Sequence, residues 1–560
     1  MKHAPETTAP DAAQKLDQLY EFDREPVSED KLLGFGYFAG SFAGEHVAAT
    51  EFVIGALFVN WGATVADIFW GLAIGNLLAV LTWTLICAPI AVDTRLTLYW
   101  YLRRIGGPVV TVIYNVINAL LFAVLAGCMI TVSASALRIP LGIPSQVLWY
   151  PTDWRFIALV CVVGAVVVAL ATLGFKSLAS FSTVCSPWMF LMFIAGALVM
   201  FPKLAQASGV QAVDSLDAFF EMCGRVVWTG RTPDGSPPIG FWKIVAFAWI
   251  CNLAMHGGLS DMALFRYAKK ASYGLASISG MFFGHYLAWI CAGIMGAGAA
   301  LMLNTQLPKL DSGEVAYQAI GWEGILAVIF AGWTTSNPTL YRAGLALQAI
   351  TPNWSRVKVT IVTGIATTII ACFPFVFTRL LDFVGLYGLL LSPAGAIVLT
   401  EHWIFPKLGL SRYWSSHKKL ALNAPALVAW GAAVVFALVL ERSGTLHLFY
   451  LFLPVYLLTM VLYTVLAALA GAREKYPEWP AEPKRATPPS PPTSAPSSAA
   501  RTLQWTMGLI AAASLVVCLT VPAAAALGAD FAPLHSWMTV ASIAYFVAGT
   551  IFYNLWHRDA

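Results

Sequence analysis

The stretch Ala331-Gly-Trp-Thr-Thr-Ser-Asn-Pro-Thr-Leu-Tyr341 places a cluster of polar side chains inside a long apolar run. Pro338 has no backbone N–H to donate, and we expect it to disturb the helical turn before it. Polar groups at this depth are costly against lipid, so they should face a cavity, an ion or other helices. The hydroxyls of Thr334 and Thr335, with the Ala331 carbonyl one turn earlier, are oxygen ligands of the kind that a small hard cation prefers. The stretch therefore predicts the coupling-ion site of a transporter.

The composition is that of a protein embedded in a lipid bilayer. Of its 560 residues, 59% are hydrophobic and 11% are charged, and the mean hydropathy is +0.72. Soluble domains are nearer about half apolar and about a quarter charged. No stretch is basic enough to indicate nucleic-acid binding, and no Walker-type phosphate loop is present, so an ion gradient should drive any uphill transport. No convergent catalytic set indicates an enzyme.

Apolar runs divide the chain into about fourteen predicted spans, because a membrane-crossing helix needs about 20 mainly apolar residues. The spans lie near residues 33–60, 64–91, 108–136, 155–174, 179–201, 240–266, 274–303, 322–350, 357–377, 380–404, 422–441, 445–471, 504–527 and 534–556. Lysine and arginine concentrate in alternate loops, so the positive-inside rule predicts a multi-pass protein of the cell membrane with both termini in the cytoplasm. The long external loop near residues 203–239 is expected to form a short surface helix.

A proline-rich segment separates the last two spans from the others and reads as a flexible cytoplasmic linker. The polar N-terminal residues hold no apolar core and so predict no cleavable signal peptide. The expected units are a cytoplasmic tail (1–32), a ten-helix transport core (33–404), two additional helices (405–472), the linker (473–502) and a two-helix appendage (503–560). We expect the appendage to serve packing or the contacts of a homo-oligomer.

Span one combines close-packing glycines with acidic residues. Glycines recur every fourth residue at Gly36, Gly40 and Gly44, a spacing that lets another helix approach closely. Glu45 and Glu51 follow in the same apolar run, where an acid is expensive and by default functional. The alternative is that Glu45 pairs with His46 or a neighbouring helix and only braces the bundle.

Span six resembles span one in having a predicted interruption. Gly257 and Gly258 weaken a helix and lie beside Asn252 and His256. Irregular backbone at membrane depth is tolerated where it lines a cavity or is buried in protein. Two interrupted helices five spans apart indicate an all-α transporter with a five-plus-five inverted repeat, made of spans one to five and six to ten.

Amide side chains complete the predicted substrate site. Asn115 and Asn118 lie on one face of span three, although interhelical hydrogen bonding is the common role of such residues. The candidate substrate-binding residues are Glu45, Glu51, Asn115, Asn118, Asn252, His256 and Asn337.

Several of these segments resemble the nucleobase–cation symporter-1 family, and within it the cytosine permease branch. The most similar piece runs from Gly332 to Leu347, and Ile74-Gly-Asn-Leu-Leu78 is similar to the start of that branch's second helix. The resemblance implies the leucine-transporter fold, normally with twelve helices, and sodium- or proton-coupled uptake of nucleobases or related small polar rings.

The resemblance also implies a sodium site. Its ligands on helix eight would be the Ala331 carbonyl and the hydroxyls of Thr334 and Thr335. Carbonyls of the broken first helix, from near Ala48 to Phe52, would complete it.

Three alternatives stay open at this point. Coupling could use H⁺ instead of Na⁺, with Glu51 or Glu45 binding the proton. The two acids also suit an amine or thiamine-like solute. A membrane-embedded ligand sensor of the same fold is the third alternative.

Overall fold

A computed structural model describes residues 25–146, 148–255, 258–351, 353–478 and 498–558, and these residues contain no β-strand. We number the helices after the predicted spans and give letters to the halves of a broken one. In chain order they are α1a (Phe35–His46), α1b (Glu51–Asn60), α2 (Asp67–Thr94), α3 (Leu98–Leu137), α4 (Trp154–Ala171), α5 (Phe175–Ser208), α6a (Phe241–Met255), α6b (Met262–Phe265), α7 (Ala271–Leu303), α8 (Trp322–Ile350), α9 (Arg356–Ala371), α10 (Phe383–Lys407), α11 (Ala424–Arg442), α12 (Phe452–Ala472), α13 (Ser498–Ala526) and α14 (Phe531–Arg558).

Each predicted span coincides with one helix or one broken pair. By length and hydropathy, ten helices of the described residues can cross a membrane, and the bent pair α1a–α1b makes up to eleven. Helix α6a, with 15 residues, and α9, with 16, are shorter than the about 20 residues that a crossing needs. Helix α8, with 29 residues, is long enough but is not among the ten. The number of fourteen crossing helices therefore stays a prediction.

The first helix is broken, as its sequence predicts. Helices α1a and α1b meet at an angle of 53°, and Val47 leaves the helical conformation with φ −97° and ψ 58°. Gly40 and Gly44 face Thr183 and Ser182 of α5, and a Cβ at Gly44 would lie 2.6 Å from that of Ser182. The predicted close helix approach is confirmed at these two glycines, whereas Gly36 has open space around it.

The sixth helix is broken as well. Helix α6a ends at Met255, Gly258 has φ +88°, and α6b begins at Met262. The surface helix expected between spans five and six is present at Leu216–Val226, where the Ser215 side chain accepts from the N–H of Ala218.

Helix α8 corrects one prediction, because it runs without interruption through Pro338. Proline removes only its own N–H, and α8 is supported along its length by α3, where Gly332 packs against Ser133 and Met129. Close packing of neighbouring helices thus keeps straight a turn that we expected to be disturbed.

The last two helices form a hairpin that packs on the ten-helix core. Tyr545 of α14 donates to the Val184 carbonyl of α5 at 2.7 Å, and Trp188 of α5 donates to the Ser542 hydroxyl at 2.9 Å. The expected packing role is therefore confirmed, and a role in a homo-oligomer stays a prediction. Most of the predicted linker, residues 479–497, lies outside the described residues.

Candidate functional site

The Thr335 hydroxyl joins α8 to the break in α1. Its Oγ1 lies 2.9 Å from the Ala331 carbonyl oxygen and 2.8 Å from the Glu45 carbonyl oxygen. The Thr334 Oγ1 lies 2.9 Å from the carbonyl oxygen of Phe330 and 3.3 Å from that of Ala331. The three oxygens predicted on α8 therefore lie together, next to the end of α1a.

The carbonyl that α1 contributes here is that of Glu45, which the sequence analysis did not name as a ligand. The Ala48 carbonyl accepts from the N–H of Glu51 at 3.1 Å, and the Phe52 ring stacks on Phe193 of α5 with centroids 4.2 Å apart. The last carbonyls of a helix lack intrahelical partners. Glu45 is the second-last residue of α1a, so its carbonyl is one of these. Locating the end of α1a at His46 would have identified it as a ligand.

A buried ion-pair triad lies beside these oxygens. Arg342 of α8 binds both carboxylate oxygens of Glu45, with Nη2 3.0 Å from Oε2. The same Nη2 lies 2.5 Å from Oδ1 of Asp261, the residue that precedes α6b. Trp83 of α2 donates to the other oxygen of Asp261. Arg342 and Asp261 are fully buried, so the triad ties α1a and α6b to α8.

This placement bears on the candidate role of Glu45. Its carboxylate is engaged by Arg342, an arrangement that favours the alternative in which Glu45 braces the bundle. Arg342 lies in the stretch that carries the family resemblance, but the sequence analysis gave it no role. Arg342 follows Thr335 by two helical turns and so lies on the same face of α8. That spacing could have indicated from the sequence that Arg342 lies near the cation site.

Glu51 is the first residue of α1b and is 1% exposed. The Trp289 indole of α7 donates to one carboxylate oxygen, and the Thr50 hydroxyl lies 3.4 Å from the other. Nε2 of His285 lies 3.7 Å from that second oxygen. Glu51 is therefore surrounded by polar groups of α1 and α7, and its predicted role in substrate binding stays a prediction.

The predicted amides do not form one cluster. Asn252 donates to Oδ1 of Asn76 at 3.2 Å, which is the common interhelical role. Asn115 donates to the Tyr99 carbonyl at 3.4 Å. Neither amide atom of Asn337, which is 1% exposed, has a hydrogen-bond partner within the described parts of the chain.

The remaining candidates are Asn118 and His256. Asn118 is fully buried beside the Tyr99 hydroxyl. His256 lies outside the described residues.

A cavity reaches the break in α1. It has a volume of about 370 Å³ and is lined by Thr50, Leu57, Asn60 and Arg379, among others. Among the described residues, no group of three or more His, Cys, Asp and Glu could hold a metal ion.

No protein-family model and no curated protein sequence matches the chain. Solved structures do match it. Mhp1, a nucleobase–cation-symport-1 family transporter in a closed conformation with bromovinylhydantoin bound, matches with a TM-score of 0.60 at 16% identity. That match covers 82% of this chain and 98% of Mhp1.

A Na⁺-coupled sialic acid symporter in a substrate-bound outward-open state matches with a TM-score of 0.58 at 13% identity, over 82% of this chain and 96% of its own. The inward-facing conformation of Mhp1 matches with a TM-score of 0.57 at 15% identity, over 80% and 92%. At such identities the likeness is one of fold. The chain therefore has the all-α leucine-transporter fold that its broken first and sixth helices predict.

Proposed function

We propose that the chain is a secondary active transporter that carries a small polar solute together with Na⁺ by alternating access. The observation that supports this function is the position of the Thr335 hydroxyl, between the carbonyls of Ala331 on α8 and Glu45 on α1a. A cation held among these oxygens would fasten α8 to the break in α1. Such an ion favours this arrangement only through its higher affinity for it.

The chemistry of the oxygens favours Na⁺. The hydroxyls of Thr334 and Thr335 and the carbonyls of Ala331 and Glu45 are neutral oxygen ligands, which hard cations prefer. Both hydroxyls can keep a hydrogen bond to a carbonyl of their own helix while a lone pair faces the ion. In the adjacent triad, two carboxylates face one guanidinium. Carboxylates this close to the four oxygens would add to the attraction for a cation.

The solute that we favour is a nucleobase or a related heterocycle. Such rings carry N–H and C=O groups side by side, and an amide side chain can bind both at once. Asn337 presents a buried amide on α8, three residues after Thr334. The carboxylates of Glu45 and Glu51 are both already engaged, which makes an amine solute the weaker candidate. The bromovinylhydantoin bound to Mhp1 is a ring of the favoured class.

The test uses the full chain in proteoliposomes with an imposed sodium gradient. Labelled cytosine, uracil, hydantoin, allantoin, thiamine and choline form the solute panel. Thr335→Ala should lower sodium-driven uptake about tenfold or more, because a lost ligand to a charged group weakens binding by about 1.5–3 kcal/mol. Thr335→Ser, which keeps the hydroxyl, should retain most of the uptake.

Thr339→Ala is the matched control, because the Thr339 hydroxyl donates within α8, to the Thr335 carbonyl at 2.6 Å. Unchanged sodium dependence in Thr335→Ala would remove the sodium assignment. Uptake that persists without sodium and follows a pH gradient would favour the proton-coupled alternative. Absence of uptake for every solute in the panel would count against the heterocycle.

A further inference from the structure

The side chain of Arg342 has no oxygen and cannot itself bind the cation. It binds the carboxylate of Glu45, whose carbonyl is one of the proposed ligands. It lies seven residues after Thr335 on α8, which is about two helical turns. Its guanidinium is fully buried and makes a two-point contact with the Glu45 carboxylate. Paired contacts of this kind fix the orientation of both partners.

Glu45 makes two separate contacts with α8, one through its side chain and one through its backbone carbonyl. Its side chain binds Arg342, and its carbonyl oxygen lies 2.8 Å from the Thr335 hydroxyl. It is the second-last residue of α1a, where the backbone leaves the helical conformation at Val47. A carbonyl at a helix end has no intrahelical partner to orient it. Two contacts therefore hold Glu45 here: the Thr335 hydroxyl on its carbonyl and the Arg342 guanidinium on its carboxylate.

The position of Arg342 is fixed in turn by α6b and α3. Nη2 lies 2.5 Å from Oδ1 of Asp261, and the indole of Trp83 donates to the other oxygen of Asp261. The Phe122 ring of α3 lies 5.8 Å from the guanidinium carbon. The guanidinium is thus held by carboxylates on α1a and α6b and by an aromatic ring on α3.

From this geometry we propose that Arg342 is a positioning residue for the cation site. It holds the Glu45 carboxylate so that the Glu45 carbonyl faces Thr335, and Asp261 holds Arg342 in the orientation required. The inference rests on the proposed function, since it concerns the affinity of the same site. It adds that α1a and the start of α6b are both tied to α8 through this arginine.

The direction in which sodium affinity changes in Arg342→Gln separates a positioning role from a purely electrostatic one. Arg342→Gln removes a positive charge beside the cation, so Coulomb's law alone predicts tighter sodium binding. Positioning predicts weaker binding, because the Glu45 carbonyl is no longer held. We expect the sodium concentration for half-saturation to rise about tenfold in Arg342→Gln, and to rise less in Arg342→Lys, which keeps the charge but lacks the two-point contact.

The measurement is binding of radioactive sodium to the purified full chain, with no solute present. Arg356→Gln is the matched control, because Arg356 is a buried arginine that donates to the carbonyls of Ala171 and Thr172 at the end of α4. Its half-saturation should stay within about twofold of the unmodified chain. If Arg342→Gln does not fold, Arg342→Lys tests the same grip with the charge kept, so weaker binding then reports the lost two-point contact and not a change of charge. Glu45→Gln should weaken binding as well.

Sodium binding that is tighter or unchanged in Arg342→Gln overturns the inference. The proposed function fails in a different way, namely if the unmodified chain binds no sodium or if Thr335→Ala binds it normally. A chain in which Thr335→Ala loses binding while Arg342→Gln and Glu45→Gln retain it keeps the cation site and excludes the positioning role.

Discussion

Single residues of α8 show how differently buried polar groups can be used. Burying an amide without a hydrogen bond is unfavourable, yet Asn337 is 1% exposed and neither of its amide atoms is paired among the described residues. The neighbouring Ser336 hydroxyl lies 3.4 Å from the Trp333 carbonyl of its own helix. Asn337 is therefore a polar side chain of this stretch with bonding capacity left for a solute, as is the Trp333 indole N–H.

Asn337→Leu should raise stability and reduce transport at the same time. Replacing an unpaired buried amide by an apolar group of similar size removes a desolvation penalty of about 1–3 kcal/mol. Uptake of the heterocycle should fall about tenfold or more, because a site that hydrogen-bonds its ligand discriminates strongly when a partner is lost. Thermal unfolding and solute uptake measure the two effects.

Ser336→Ala is the control, and sodium binding should be unchanged in both variants. Full uptake in Asn337→Leu would exclude Asn337 from the solute site.

The residue types of the cation site are readable from sequence, but their partners on other helices are not. Ala331, Thr334 and Thr335 are brought together by the helical repeat alone. Which carbonyl of α1 meets them depends on where α1a ends, and that end lies at His46 rather than among the residues from Ala48 onward. Arg342 finds its partner 297 positions away in the chain, a pairing that no local pattern specifies.

At the scale of helices, composition predicts the breaks well and the straight segments less well. The breaks in α1 and α6 follow from glycines and polar residues placed inside apolar runs. At Pro338 the sequence predicts a disturbed turn that is not observed, because the packing of α8 along α3 outweighs the tendency of proline to interrupt a helix. Tertiary contacts of this kind are absent from the sequence pattern.

Gly44→Ala tests the close contact of α1a with α5. The added methyl would meet the Ser182 side chain at 2.6 Å, a separation that requires the two helices to shift. Overpacking of this kind costs about 1–3 kcal/mol. Denaturation of the purified protein in detergent should show this loss of stability.

Gly36→Ala is the matched control on the same helix, where a methyl meets open space. That variant should gain up to about 1 kcal/mol from helix propensity. If both variants have equal stability, the close packing of Gly44 on α5 is wrong.

At the scale of the whole molecule, the C-terminal hairpin is part of the folded core. Glu323 at the start of α8 is 1% exposed, and His535 and Thr539 of α14 bind its two carboxylate oxygens. Sequence composition identifies two extra helices but does not specify where they dock. Docking depends on single polar contacts spread over α5, α8 and α14.

His535→Leu should destabilise the protein markedly, because it leaves a buried carboxylate with less compensation. Removing one hydrogen-bond partner of a buried carboxylate costs about 1.5–3 kcal/mol. The double variant His535→Leu, Glu323→Leu should recover much of this loss, since replacing both partners of a hydrogen bond by apolar groups can be nearly neutral. Thermal unfolding in detergent measures both.

Asp530→Asn, at the exposed residue just before α14, is the control and should change little. Equal stability of His535→Leu and the unmodified chain would contradict the docking contact.

Helix α5 is used on two opposite sides, and this restricts how related proteins can differ. Its Ser182 and Thr183 face the glycines of α1a, while Ser180 and Trp188 bond to Tyr553 and Ser542 of α14. Without the hairpin, the Trp188 indole would border lipid tails, which offer its N–H no partner, whereas the Ser180 hydroxyl keeps its bond to the Lys176 carbonyl of its own helix. A protein of this fold without the two terminal helices is therefore expected to carry an apolar side chain in place of Trp188.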